Sequence, residues 1–170
     1  MRLAASMVPW LVQRRVARRS QMKGRTALLV IIVLILGAAL VMPMLRGVAP
    51  KPDMFSEGLT LNDALDRSDQ TGKPVLAVVT ADWCGACQAL KRGALSDAAI
   101  KAIVRESFVP VYVDSDRSPG EVAQIGNVEY LPTTVVIVGG REAGRAVGNK
   151  SAGQFRLLLE QALRQATPAG

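Results

Sequence analysis

Ala81-Asp82-Trp83-Cys84-Gly85-Ala86-Cys87 holds both cysteines of the 170-residue chain and directly follows the apolar run Val75-Leu76-Ala77-Val78-Val79. With the run read as a strand and Gln88-Ala89-Leu90-Lys91-Arg92 as the start of a helix, the two thiols fall at a strand-to-helix turn. Cys84 then lies on the first turn, where unpaired backbone amides and the helix dipole favour an anion and lower a thiol's pKa. A thiolate there can attack a disulfide, and Cys87, one turn further in, can close a small ring and release what Cys84 has captured.

Other uses of a cysteine pair fit less well. A structural disulfide stabilises more the longer the loop it closes, and a four-residue ring constrains little. A zinc site needs four ligands, and a chain with two cysteines and no histidine cannot supply a Cys/His set. A two-thiolate site for a soft ion such as Cu(I), held by Cys84 and Cys87, stays open as an alternative.

The segment resembles the active site of the thioredoxin superfamily, and the likeness covers Phe55 to about Ala166. Within the superfamily it is similar to the periplasmic C-terminal domain of the bacterial thiol:disulfide interchange protein DsbD, with Ala81-Asp82-Trp83-Cys84 and Leu131-Pro132-Thr133 as matching landmarks. Pro132 stands 45 residues after Cys87. The resemblance implies an α/β thioredoxin-like fold, a central mixed sheet flanked by helices, preceded here by one N-terminal transmembrane helix.

That helix is read from composition. Residues 1–26 carry seven basic residues and no acid, so the net charge of +7 leaves 14 basic against 14 acidic side chains in the rest. The folded part is neutral by formal count, and the basic excess is a topology signal rather than a nucleic-acid footprint. Ala27 to Leu45 is an uncharged stretch of 19 residues, about 28 Å as a helix and close to the ~30 Å hydrocarbon core. Positive charge marks the cytoplasmic flank, so residues 1–26 form a basic cytoplasmic tail, 27–45 the span, 46–54 a semi-extended linker with Pro50 and Pro52, and 55–167 the thioredoxin-like domain outside. A cleaved signal peptide is the competing reading, although the apolar core exceeds the usual 7–15 residues. The expected location is the bacterial inner membrane, single-pass, with the C-terminal domain periplasmic.

Along the domain, Phe55 to Leu59 reads as a short edge strand and Thr60 to Asp69 as an amphipathic helix ended by Thr71-Gly72-Lys73-Pro74. Val75 to Thr80, apolar without alternation, is the central strand. Ser96-Asp97 caps a second helical stretch to about Glu106. Val109 to Asp114 is a strand whose Pro110 must sit where no partner needs its amide, and Ser118 to Ile125 is a short helix. Gly139-Gly140 turns the strand Thr133 to Val138 into an antiparallel partner from Ala143 to Val147. Ser151 and Gln154 form a capping box before a last helix that buries Phe155, Leu158, Leu159 and Ala162.

The resemblance further implies that Pro132 is a cis proline facing the cysteines, that Leu131 before it offers backbone hydrogen bonds to an extended substrate, and that Trp83 flanks the sulfurs. The chain departs from the family pattern twice. The acid often buried six residues before the first cysteine is Val78, which leaves water or another carboxylate, Asp82 being nearest in sequence, to take the Cys87 proton. The proline that kinks the helix five residues after the second cysteine is Arg92, which predicts a straighter helix.

The expected function is that of a membrane-anchored periplasmic thiol–disulfide oxidoreductase, a protein-disulfide reductase rather than an oxidant. Cys84 is its nucleophile, Cys87 the resolving thiol, and Trp83, Leu131 and Pro132 the substrate-docking residues. No cofactor beyond the redox-active Cys84–Cys87 disulfide is expected, and no resident metal. Partners would be protein thiols or disulfides and a separate membrane electron donor, because the chain has no further cysteine to relay electrons across the bilayer. A Cu(I)-delivery module and a redox-inactive scaffold are the alternatives.

Overall fold

A computed structural model describes residues 27–42, 47–55 and 59–166. The chain divides after Gly47 into two units. In the first, residues 27–42 form helix α1; no helix among the described residues is long and apolar enough to cross a membrane. The expected span runs on to Leu45, and residues 43–46, like the basic tail, lie outside the described residues.

The second unit is built on a four-stranded mixed sheet in the order β2-β1-β3-β4, formed by β1 (Val75–Thr80), β2 (Val109–Asp114), β3 (Thr133–Val138) and β4 (Arg141–Val147). β1 pairs parallel with β2 and antiparallel with β3, and β3 pairs antiparallel with β4. All six residues of β1 are buried, which is why its sequence does not alternate. β2 lies at the sheet edge, so Pro110, its second residue, removes a donor that only one side could have used. Gly139 and Gly140, at φ 53° and 73°, make the two-residue turn of the β3–β4 hairpin. In β4, a Cβ on Gly144 would stand 2.9 Å from Leu158 Cδ1, so any larger residue there would require the Leu158 side chain of the last helix to shift.

Alternate side chains of β1 feed two cores. Leu76 and Val78 pack with Leu90, Ile100, Val104, Phe155 and Leu159. These come from α3 (Gly85–Arg92), α4 (Ala98–Ser107) and α6 (Ala152–Ala166) on one face of the sheet. Val75, Ala77 and Val79 pack on the other face with Leu61 and Ala64 of α2 (Leu61–Thr71) and with Val122 and Ile125 of α5 (Pro119–Ile125).

Local chemistry sets the helix ends. Thr60 and Asp63 form a capping box at α2, and Gly72, at φ 70°, ends it. Asp97 accepts from the amides of Ala99 and Ile100, both at 3.0 Å, to start α4. Ser151 and Gln154 form the expected box at α6, with Ser151 N donating to Gln154 Oε1 at 3.0 Å.

Two local expectations need correction. Phe55 and Leu59 are not in a strand, and the intervening residues 56–58 lie outside the described residues. Phe55 is instead a core residue, edge-on to Tyr112 with ring centroids 5.5 Å apart. The helix after Cys87 does not run straight past Arg92 but ends there, followed by a 3-10 turn over Ala94–Ser96. Gly93 is the C-cap, at φ −95° and ψ −107°, a conformation that suits glycine because a Cβ there would meet Ala89 O at 3.0 Å. Removing the kinking proline removes one helix breaker, and the neighbouring glycine supplies another.

Residues 48–54, most of the stretch 46–54 read as a linker, belong with Phe55 to this unit. Ala49, Met54 and Phe55 are buried, Ala49 N donates to Gln88 Oε1 at 2.6 Å, and Asp53 bridges Lys101 at 3.2 Å and Arg105 at 2.7 Å on α4. The hydrogen bond from Lys101, with the charge of Arg105 beside it, holds the Asp53 carboxyl below its usual range.

Candidate active site

The turn between β1 and α3 brings the two cysteines together as a disulfide with Cα atoms 5.2 Å apart. Cys84 is the N-cap of α3: its backbone is extended, at φ −79° and ψ 110°, and its sulfur accepts a hydrogen bond from Cys87 N at 3.2 Å. A sulfur in the N-cap position receives a backbone amide in the way a capping oxygen does, and it lies at the positive end of the helix dipole. Both features favour the thiolate once the disulfide is opened. Cys87 is the more deeply buried, 1% exposed against 6% for Cys84.

Opposite the cysteines lies the start of β3. The Leu131–Pro132 peptide is cis, and Leu131 packs against the cluster of Ala81, Cys84 and Cys87. Pro132 O accepts from Gly148 N at 2.7 Å, but no hydrogen bond from the described residues reaches the main chain of Leu131. The approach to this edge is held by Arg145 of β4, whose guanidinium donates to Asn127 O at 3.1 Å, to Gly126 O at 3.2 Å and to Glu142 Oε2 at 2.6 Å. Hydrogen bonding to Arg145 keeps the Glu142 carboxyl below its usual range, and the same pairing raises Arg145.

Trp83 is exposed, with 73% of its surface accessible. Its indole N–H donates to Asp116 Oδ2 at 2.8 Å, which fixes the ring from the loop after β2. Val78 is buried in the apolar core, so no carboxylate stands at that position. Asp82 is engaged by Lys91, whose ammonium donates to its Oδ1 at 3.2 Å.

Several contributors were not read from the sequence. Lys91 is 2% exposed and sits 5.8 Å from the centre of the Tyr112 ring. Gln88 joins the active-site loop to residues 48–55, donating to Asp82 O at 2.9 Å while accepting from Ala49. Asp116 is 33 residues from its partner Trp83. A helical offset could have placed Lys91 on the buried face, since it is four residues after Cys87; nothing local marks Asp116. A cleft of ≈ 590 Å³ opens beside Lys91, lined also by Asp82, Tyr112, Asp114 and Lys51; neither cysteine lines it. Among the described residues no group of three or more His, Cys, Asp or Glu side chains could hold a metal ion.

Comparison with known proteins agrees with this geometry. A sequence model of the thioredoxin-like family matches residues 56–138. Thioredoxin H-type 1 of Nicotiana tabacum is 32% identical over 108 residues, spanning 64% of this chain and 79% of that protein. The solution structure of a thioredoxin from Thermus thermophilus superposes with a TM-score of 0.57 at 27% identity, over 63% of this chain and 86% of the other. The chain belongs to the thioredoxin-like family, as a redox protein whose paired cysteines are Cys84 and Cys87.

Proposed function

We propose that the protein is a membrane-anchored, periplasmic disulfide reductase in which Cys84 attacks a substrate disulfide and Cys87 resolves the mixed disulfide. The placement of the Cys84 sulfur as the N-cap of α3, receiving the Cys87 amide, carries the reading, because it makes Cys84 the better thiolate and leaves the buried Cys87 to follow. Leu131, Pro132 and Trp83 form the docking edge: Leu131 offers an unused main chain beside the sulfurs, as an extended polypeptide substrate would require. No cofactor beyond the disulfide enters the reaction.

The anchor is the uncharged stretch from Ala27 to Leu45 behind its basic flank, and the likeness of Ala81-Asp82-Trp83-Cys84 and Leu131-Pro132-Thr133 to the DsbD domain points to the same compartment. Thiols there are normally oxidised, so sustained reduction draws electrons from a separate membrane donor.

Trapping tests the division of labour. Cys87→Ser should accumulate disulfide-linked partners in acid-quenched membranes, because the mixed disulfide forms but cannot be resolved, whereas Cys84→Ser should accumulate far fewer. Equal trapping by both variants would remove the assignment. Absence of trapping by either, with tight Cu(I) binding by the wild type, would favour metal delivery. A periplasm-active reporter fused after Gly170 should work and a cytoplasm-only reporter should not; the reverse would overturn the orientation.

A further inference from the structure

We propose that the Thr80 hydroxyl is the hydrogen-bond donor to the Cys87 sulfur in the reduced protein, and so a positioning residue for the resolving thiolate. The kinetic part rests on the reading of Cys87 as the resolving thiol; the thermodynamic part does not.

Thr80 is 2% exposed, and its Oγ1 is, among the described residues, the buried side-chain oxygen or nitrogen without a hydrogen-bond partner. A buried hydroxyl left unpaired is costly, and one that persists in a native fold calls for a reason. Its place supplies one. Strand side chains alternate between faces, so Thr80 shares the face of Leu76 and Val78, the face that packs on Leu90 of α3. Cys87 lies on the same side of α3 as Leu90, three residues or about 4.5 Å nearer the helix start. Thr80 lies two residues, roughly 6.6 Å, beyond Val78 along β1. Because α3 returns across the sheet from the end of β1, both offsets run toward the same end of the strand, and the proposal sets Cys87 at the level of Thr80.

In the disulfide, Cys87 Sγ is bonded to Cys84 Sγ. Two-electron reduction breaks that bond, frees Cys87 to turn about its Cα–Cβ bond, and creates a buried sulfur that must carry negative charge in order to react. The ionisable groups on this side are already engaged. Lys91 of α3 is bound to Asp82, and Tyr112 of β2 packs on Phe55 beside Lys51 and Lys91. Asp114, the β2 register partner of Thr80, accepts from Asp116 N and Arg117 N and pairs with Arg117. The Thr80 O–H is the donor still unused. In the resolving step the Cys87 thiolate attacks Cys84 Sγ of the mixed disulfide, the Cys84–Cys87 bond forms, and the bond to the substrate sulfur breaks with its electron pair leaving on that sulfur. The proton earlier lost by Cys87 goes to solvent, and Thr80 keeps its own.

Thr80→Val keeps the shape and removes the donor; Thr80→Ser restores the donor. Both are compared with wild type in the full, detergent-solubilised chain. Expected for Thr80→Val is an oxidised form at least as stable to urea, a reduced form less stable, and a glutathione equilibrium shifted about fivefold to tenfold toward the disulfide, since a net hydrogen bond of this kind corresponds to such a factor. Decay of a preformed mixed disulfide should slow about as much, and Thr80→Ser should recover most of each effect. Equal loss of stability in both redox states, or an unchanged glutathione equilibrium, would overturn the proposal. If wild type itself failed to exchange with glutathione, the reductase reading would fall, and stability of the phosphine-reduced against the oxidised forms would still decide the role of Thr80.

Discussion

Lys91 Nζ lies 3.2 Å from Asp82 Oδ1, and the two side chains differ sharply in setting: the lysine is 2% exposed and the aspartate 49%. The ammonium has therefore been taken from water, while its partner has not. Removing one member of such a pair strands the other, and the cost is larger when the survivor is the buried one. Asp82→Asn should lower unfolding stability by about 1–2 kcal/mol, less than for a fully buried pair because water reaches the carboxylate. Lys91→Met, which keeps the packed stem and removes the charge, should cost less than about 1 kcal/mol. Urea denaturation of both variants checks the order; a larger loss for Lys91→Met would show that the ammonium, through Asp82 and the Tyr112 ring, contributes more than its burial costs.

Cys84 as N-cap should ionise below the free-thiol value of about 8.5, and Cys87 at or above it. Alkylation rate against pH on Cys87→Ser, and separately on Cys84→Ser, measures the two. A Cys84 titrating at the free-thiol value would remove the case for an attacking thiolate.

Glu142 and Arg145 bear on acid stability. The Glu142 carboxyl is held below its ordinary value of 4.5 in the folded protein by hydrogen bonding to Arg145. A depressed folded pKa gives stability that is fully present above the unfolded value and disappears as pH falls through the folded one. Glu142→Gln should thus be less stable than wild type at pH 7, by under about 1 kcal/mol because the pair is partly solvated, and the gap should close as pH drops below 4.5. A gap constant with pH would assign the loss to something other than the charge. Arg145→Ala should do more, since it also releases the carbonyls of Gly126 and Asn127 on the approach to Leu131.

Trp83→Phe removes the indole N–H that binds Asp116 and keeps an aromatic face beside the cysteines. If the ring docks substrate, KM for a protein disulfide should rise about threefold to tenfold with kcat nearly unchanged, a loss of binding common to ground and transition states. Asp116→Asn should reproduce part of the rise. A fall in kcat alone would place Trp83 in the chemistry rather than in docking.

The order of elements was legible because β1 is apolar throughout, the hairpin carries Gly139-Gly140, and Thr60, Asp97 and Ser151 announce helix starts through side chains that act within three residues. The cysteines were legible for the same reason, since an N-cap position is a local property. What escaped depends on distance along the chain. Lys91 reads as a surface helix residue until Asp82 and Tyr112 are folded around it, and Asp116 has no mark that ties it to Trp83. The stop after Arg92 falls at Gly93, where an added Cβ would stand 3.0 Å from Ala89 O, a fit to glycine that only the folded coordinates reveal. Phe55 looked like the first residue of a strand because the local sequence does not tell a strand start from a residue that inserts its ring into the core.

The docking of residues 48–55 bears on where this protein can be cut. A soluble fragment begun at residue 56, where the family likeness starts, would lack Met54 and Phe55 from the apolar core and would leave the Gln88 side-chain oxygen, next in sequence to Cys87, without the Ala49 amide. Proteolysis or cloning that severs the chain before Val48 should release an active, soluble redox domain, whereas severing it after Phe55 should yield one that is poorly folded and prone to aggregate.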